Sequence, residues 1–195
     1  MPSWVTPDVL TAAGLVGALA VFAGYAASAV DRNWLWLAII GYVLHWFGDS
    51  MDGSLARYRQ IERPSFGYFL DHSCDGLATL LILTGLGLSP FVRLDVALLA
   101  LAGYLLLSIH AFLSARVLDE LKLSYLAAGP TELRLVLIAF TLAMLIVGTG
   151  PSVMNSFSTF DVVAGIAGMA LITLFIVQTA LTARRIAAKE HAGEM

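Results

Sequence analysis

Hydrophobic and polar positions divide the chain into six uncharged runs, at residues 9–30, 33–48, 76–92, 96–115, 135–160 and 162–183. Several reach the roughly 20 residues that an α-helix needs to cross the hydrocarbon core of a bilayer. The pattern predicts an all-α, polytopic membrane protein with six transmembrane helices. The connections contain breakers, at Asp31-Arg32-Asn33, Ser89-Pro90, Gly129-Pro130 and Gly150-Pro151, as short turns require. Thr6-Pro7-Asp8 reads as a helix start, with Thr as N-cap, Pro in the first turn and an acid near the positive dipole end. The first run lacks a preceding Lys or Arg and is long enough to span, so a signal peptide is not expected.

Composition agrees with this picture, since 59% of residues are hydrophobic and 13% charged, far from an average soluble domain. The reading is one domain over 1–195, ending in a polar cytoplasmic tail at 184–195. Basic residues set the orientation. With both termini on one side, that side collects Arg57, Arg59, Arg63, Arg116, Lys122, Arg134, Arg184, Arg185 and Lys189, against Arg32 and Arg93 on the other. The positive-inside rule makes the richer side, and both termini, cytoplasmic. Trp4 fits an interfacial anchor. Small residues such as Ala12-Ala13-Gly14 and Gly165-Ile166-Ala167-Gly168 suit close helix packing. The one cysteine, Cys74, excludes an intrachain disulfide and reads as a small buried residue. No nucleic acid partner is expected; the lipid bilayer is.

The two shorter runs flank the stretch GDSMDGSLARYRQIERPSFGYFLDHSCDG, residues 48–76. At about 100° per residue, Asp49, Asp52, Gly53, Ala56 and Arg57 fall within about 140° of one helix. Pro64 breaks the chain, and Gly67, Asp71 and Asp75 recur at i, i+4 and i+8 on the next helix. Two antiparallel helices then bring both acidic faces to the same membrane end. Each acid at bilayer depth costs roughly 2.5–3.5 kcal/mol, and mutual repulsion adds to that. Divalent cations resolve the conflict. Hard oxygen ligands without nearby His or Cys pairs favour Mg²⁺ or Mn²⁺ over Zn²⁺. Four aspartates suit two ions about 4 Å apart, an arrangement that clamps a phosphoryl group during in-line displacement. The competing reading is an ion-pair network in which Arg57, Arg59 and Arg63 neutralise the acids. Gly53 and Ala56 weigh against it, because they leave an open floor beside the carboxylates, and Arg57 is placed to meet a diphosphate.

At these residues the chain resembles the CDP-alcohol phosphotransferase (CDP-alcohol phosphatidyltransferase) family of membrane enzymes. The family pattern is Asp-x2-Asp-Gly-x2-Ala-Arg, a short gap, then Gly-x3-Asp-x3-Asp. The sequence supplies Asp49, Asp52, Gly53, Ala56 and Arg57, nine intervening residues, then Gly67, Asp71 and Asp75. The resemblance implies transfer of a substituted phosphate from a CDP-linked lipid, CDP-diacylglycerol above all, to an acceptor hydroxyl, with CMP as product, in phospholipid biosynthesis. It implies metal ligation by Asp49, Asp52, Asp71 and Asp75, with Asp75 as general base. Gly53, Ala56, Arg57 and Gly67 would receive nucleotide and phosphate, with Thr11 approaching the nucleotide. It further implies a homodimer and an active site facing the cytoplasm, in a cell inner membrane.

Alternatives stay open. A CDP-aminoalcohol donor with a diacylglycerol acceptor fits the same motif, and a divalent-cation transporter is the competing class, since intramembrane acids mark ion paths. Arg116, Lys122, Arg134 and Glu132 are candidates for the acceptor pocket, with topology or mutual pairing as the plainer reading. His45 and His110 read as hydrogen-bonded packing residues. His72 points about 100° away from Asp71 and is not expected to ligate metal.

Overall fold

A computed structural model describes residues 1–118, 130–149, 152–154 and 157–193. Six helices account for nearly all of them: α1 (Pro7–Ala27), α2 (Leu35–Arg59), α3 (Pro64–Leu88), α4 (Leu94–Leu118), α5 (Pro130–Val147) and α6 (Thr159–Gly193). Among the described residues, α1, α4 and α6 (over Thr159–His191) are long and apolar enough to cross a membrane. The acidic turns of α2 and α3 shorten their apolar stretches. Large apolar side chains such as Val16, Ile40, Ile109, Ile146 and Ile166 point outward, a surface suited to hydrocarbon rather than water.

Helix ends follow local chemistry. Thr6 caps α1 by accepting from the Val9 N–H at 3.3 Å. Asp31 accepts from the Asn33 N–H at 2.9 Å and opens a 3₁₀ turn, Arg32–Trp34, before α2. At the other end of α2, Gln60 takes a left-handed conformation (φ 57°). The next N–H, from Ile61, then reaches back to the Ala56 carbonyl at 3.1 Å, closing the helix as a left-handed cap does. Pro64, read from the sequence as a break in the chain, is the first residue of α3.

One expectation needs correction. The uncharged run 135–160 is not one span: α5 ends at Val147, Gly148 takes φ 78°, and a short antiparallel pair, β1 (Ser152–Met154) with β2 (Phe157–Ser158), precedes α6. Hydropathy cannot separate an apolar strand from a helix, so the uncharged run continues through a break that only Gly150-Pro151 marks in the sequence. Helix α6 continues through Arg184 and Arg185 of the polar tail to Gly193. Lys122, Gly129 and the Gly150-Pro151 turn lie outside the described residues.

Packing is set by α1, which lies against α2 and α3, while α4 joins α3 to α6 and α5 rests on α2. The α1–α2 contact is backbone on backbone. A Cβ on Gly17 would fall 2.4 Å from the His45 nitrogen, and one on Gly48 would fall 2.5 Å from the Gly14 nitrogen. Gly103 and Gly168 play the same part between α4 and α6. The core holds Val21, Tyr25, Leu35, Tyr42, Val92 and Met144. Its polar atoms are satisfied internally: the Tyr25 hydroxyl bonds that of Tyr42 at 3.2 Å and that of Thr141 at 2.6 Å. Buried Asp161 accepts from the Arg93 and Ser158 N–H groups, both at 2.7 Å, pinning the α3–α4 turn to the start of α6.

Candidate metal and phosphate site

The left-handed turn at Gln60 and the proline at the head of α3 send the chain back beside α2, but α2 and α3 make little direct contact. Helix α1 packs against both, and the acidic ends of α2 and α3 face each other across a gap. The gap is a cavity of about 360 Å³. Thr11 of α1, Asp49, Asp52, Gly53, Ala56 and Arg57 of α2, Gly67, Asp71, His72 and Asp75 of α3, and Arg134 of α5 line it.

Carboxylate oxygens of Asp49, Asp71 and Asp75 lie within 4.8 Å of one another. Oxygen ligands bound at about 2.0–2.6 Å to one hard cation sit at comparable mutual distances, so the three fit around a divalent ion. The donor set is oxygen alone, which suits Mg²⁺ or Mn²⁺ rather than a softer metal. Asp52 stands outside this trio. Its Oδ2 accepts from the Thr11 hydroxyl at 2.7 Å and its Oδ1 from the Gly53 N–H at 2.6 Å. It faces the same cavity from the α1 side.

The glycines on the cavity wall differ in surroundings. A Cβ on Gly67 would meet nothing within 4 Å, and one on Gly53 would find the flexible Arg57 guanidinium nearest, at 3.4 Å. Packing therefore does not demand glycine at either place, and both leave space on the cavity side.

The competing reading, neutralisation of the acids by Arg57, Arg59 and Arg63, is not what these residues do. Arg57 is exposed and reaches Ser54 at 3.4 Å. Arg59 donates to the carbonyls of Met1, Pro2 and Val5, tying the N-terminal segment to the end of α2. Arg63 pairs with Asp8. The guanidinium that meets the trio comes from α5: Arg134 Nη2 donates to Asp49 Oδ2 at 2.7 Å, with side chains only 11% and 21% exposed. Arg134 entered the sequence reading as a topology or acceptor residue, and no local period announces a partner 85 positions away.

His72 also lies closer to the chemistry than its helical direction suggested. Its Nδ1 is 3.3 Å from Asp71 Oδ2, without hydrogen-bond alignment, and neither ring nitrogen finds a hydrogen-bond partner among the described residues. The ring makes tilted contacts with Tyr68 and Phe112. By contrast, His45 is a packing residue bonded to the Gly14 carbonyl at 3.0 Å, and His110 meets Thr182 at 3.2 Å. Arg116 and Glu132 are exposed and do not line the cavity.

Comparison with known proteins bears on what this cavity handles. A family described as CDP-alcohol phosphatidyltransferase matches residues 4–177. An archaetidylinositol phosphate synthase of Methanothermobacter thermautotrophicus is 35% identical over 101 residues, 52% of this chain and 49% of that protein. A phosphatidylinositol phosphate synthase of Cutibacterium acnes is 38% identical over 85 residues, 43% of this chain and 38% of that protein. A cholinephosphotransferase 1 of Danio rerio is 30% identical over 91 residues, 44% of this chain and 24% of that protein. The matched segment spans at most about half the length of these curated relatives. Apolar helices and the family match together mark an integral membrane protein.

Proposed function

The chain belongs to the CDP-alcohol phosphatidyltransferase family, and from that premise we propose that it transfers a substituted phosphate from CDP-diacylglycerol to an acceptor hydroxyl. The acceptor oxygen attacks the phosphorus that carries the lipid alcohol. The bond from that phosphorus to the bridging oxygen breaks, and CMP leaves with the electron pair. Asp75 takes the acceptor proton. Asp49, Asp52, Asp71 and Asp75 are the ligands for two divalent cations, Mg²⁺ or Mn²⁺, which when bound would neutralise charge along the diphosphate. Gly53, Ala56 and Gly67 give the nucleotide room against the helices, and Arg57 contacts phosphate. Such a reaction asks the protein for positioning and charge neutralisation more than for covalent help.

The observation that carries this reading is the three-carboxylate group, gathered from two helices on the wall of one cavity. A transporter would spread its acids along a path, whereas these crowd one end of α2 and α3. Six spans, both termini and the site on the cytoplasmic side, a cell inner membrane and a homodimer complete the proposal, on the distribution of Arg and Lys and on family membership. A CDP-aminoalcohol donor with a diacylglycerol acceptor is the second reading, favoured by the similarity to a cholinephosphotransferase.

The test is CMP release by purified full-length protein in lipid nanodiscs, with Mg²⁺ or Mn²⁺, each donor and a panel of acceptors. Metal-dependent release from CDP-diacylglycerol supports the first reading, and release from CDP-choline or CDP-ethanolamine alone supports the second. Asp75→Asn should remove turnover while thermal unfolding stays near wild type; unchanged turnover would deprive Asp75 of its role as base.

A further inference from the structure

Arg134 is oddly placed for a cavity meant to hold divalent cations. Its guanidinium already sits on Asp49, a member of the carboxylate trio, at 2.7 Å, and both side chains are largely buried. Without ions, four aspartates around one cavity need positive charge. Arg57, Arg59 and Arg63 do not meet them, because their hydrogen bonds run to Ser54, the N-terminal carbonyls and Asp8. With two divalent ions, four carboxylates are fully balanced, and a guanidinium on the same acid becomes a surplus charge against a neighbouring cation.

We propose that Arg134 is the resident counter-cation of the ion-free site, and that it yields Asp49 to incoming divalent metal. This rests on the metal-site reading above but not on the transferase reaction. The residue has somewhere to go. It lines the cavity, so a guanidinium released from Asp49 remains on the wall where an anionic group would lie, and it becomes free only after metal has loaded.

The opposite role is a positioning one, with Arg134 holding Asp49 in the orientation that metal requires. The two differ in sign. Loss of a group that orients a metal ligand weakens metal affinity by roughly 10–100-fold. Loss of a competitor strengthens it.

The experiment measures Mn²⁺ binding to the full-length, detergent-solubilised protein by electron paramagnetic resonance, with no substrate present. Arg134→Gln should tighten the Mn²⁺ Kd by about tenfold, a shift of about 1.4 kcal/mol. Arg134→Lys keeps the charge without the two-pronged fork and should fall between the two; it serves in place of Arg134→Gln if that variant does not fold. An unchanged or weaker Kd in the folded variant overturns the proposal. Asp71→Asn separates the two levels of argument. If wild type and Asp71→Asn bind Mn²⁺ equally poorly, the metal-site reading itself fails and this inference falls with it. If wild type binds and Asp71→Asn does not, the Arg134 result stands alone.

Discussion

Replacing Gly48 by Ala should push α1 and α2 apart at the cavity. The added methyl carbon would lie 2.5 Å from both the Gly14 nitrogen and the Leu10 carbonyl oxygen, and 2.7 Å from the Gly14 Cα. Comfortable heavy-atom separations are about 3.5 Å, so the helices must retreat by about 1 Å. All three neighbours are backbone atoms, and no side-chain rotation relieves them. Overpacking of this kind costs about 1–3 kcal/mol, offset by up to about 1 kcal/mol because Ala favours the helix over Gly. A net loss of about 1–2 kcal/mol should lower Tm by about 2–8 °C for a chain of this length. The functional loss should exceed the stability loss. Gly48 precedes Asp49, and the Thr11–Asp52 hydrogen bond spans the same two helices at 2.7 Å. A displacement near 1 Å can cost about 100-fold in rate. Gly14→Ala is the internal control, because its methyl would meet Asp49 and His45 at an ordinary 3.5 Å or more and should be tolerated. The assays are thermal unfolding in detergent and CMP release in nanodiscs. Gly48→Ala with both Tm and turnover matching Gly14→Ala would refute the claim that α1–α2 spacing sets the site.

Three further outcomes follow from single contacts. Gly67→Ala should leave Tm unchanged or slightly raised, since its methyl meets nothing within 4 Å, yet lower turnover by raising the KM for the CDP donor; an unchanged KM would remove Gly67 from the nucleotide-binding set. Thr11→Val deletes the donor to Asp52 Oδ2, and a hydrogen bond to a charged group is worth about 1.5–3 kcal/mol. Turnover should fall by at least about tenfold and recover in Thr11→Ser, whereas wild-type kinetics in the Val variant would show that Asp52 needs no such anchor. Thr141→Val takes one partner from the fully buried Tyr25 hydroxyl and should cost about 1–3 kcal/mol, read as a lower Tm with turnover per folded molecule intact. A loss of turnover without a loss of Tm would place Thr141 in the chemistry instead.

What the sequence discloses and what it hides follow from the range of the forces involved. Helix starts and stops are local, so Thr6, Asp31, Pro64 and Pro130 mark them in the chain itself. The three-residue strand β1 is also local, but its apolar residues look the same to a hydropathy scale as the end of α5. Small residues announce close packing without saying where. Gly14 and Gly168 lie at helix contacts, yet the tightest approaches are at Gly17, Gly24 and Gly48, which nothing in the one-dimensional pattern separates from the rest. The Arg134–Asp49 pair is long-range and had no local sign.

The division among the four aspartates shows where helical periodicity stops being informative. Asp49 and Asp52 are three positions apart on α2, which places them about 60° from each other on the helix surface. Both therefore fall in one acidic sector, and the spacing alone favours one shared set of ligands. A helix held against α1 on one side, with α3 and α5 across the cavity, divides such a sector between neighbours. Asp49 turns to Arg134 and the α3 acids, and Asp52 turns to Thr11. Period fixes the angle between side chains; which neighbour each angle meets is fixed by α1, and α1 is placed by close glycine contacts at Gly17, Gly24, Gly41 and Gly48, outside the acidic motif, as well as by the Thr11–Asp52 hydrogen bond within it. The geometry of the carboxylates is thus decided in large part by helix spacing set outside the residues that carry their chemistry.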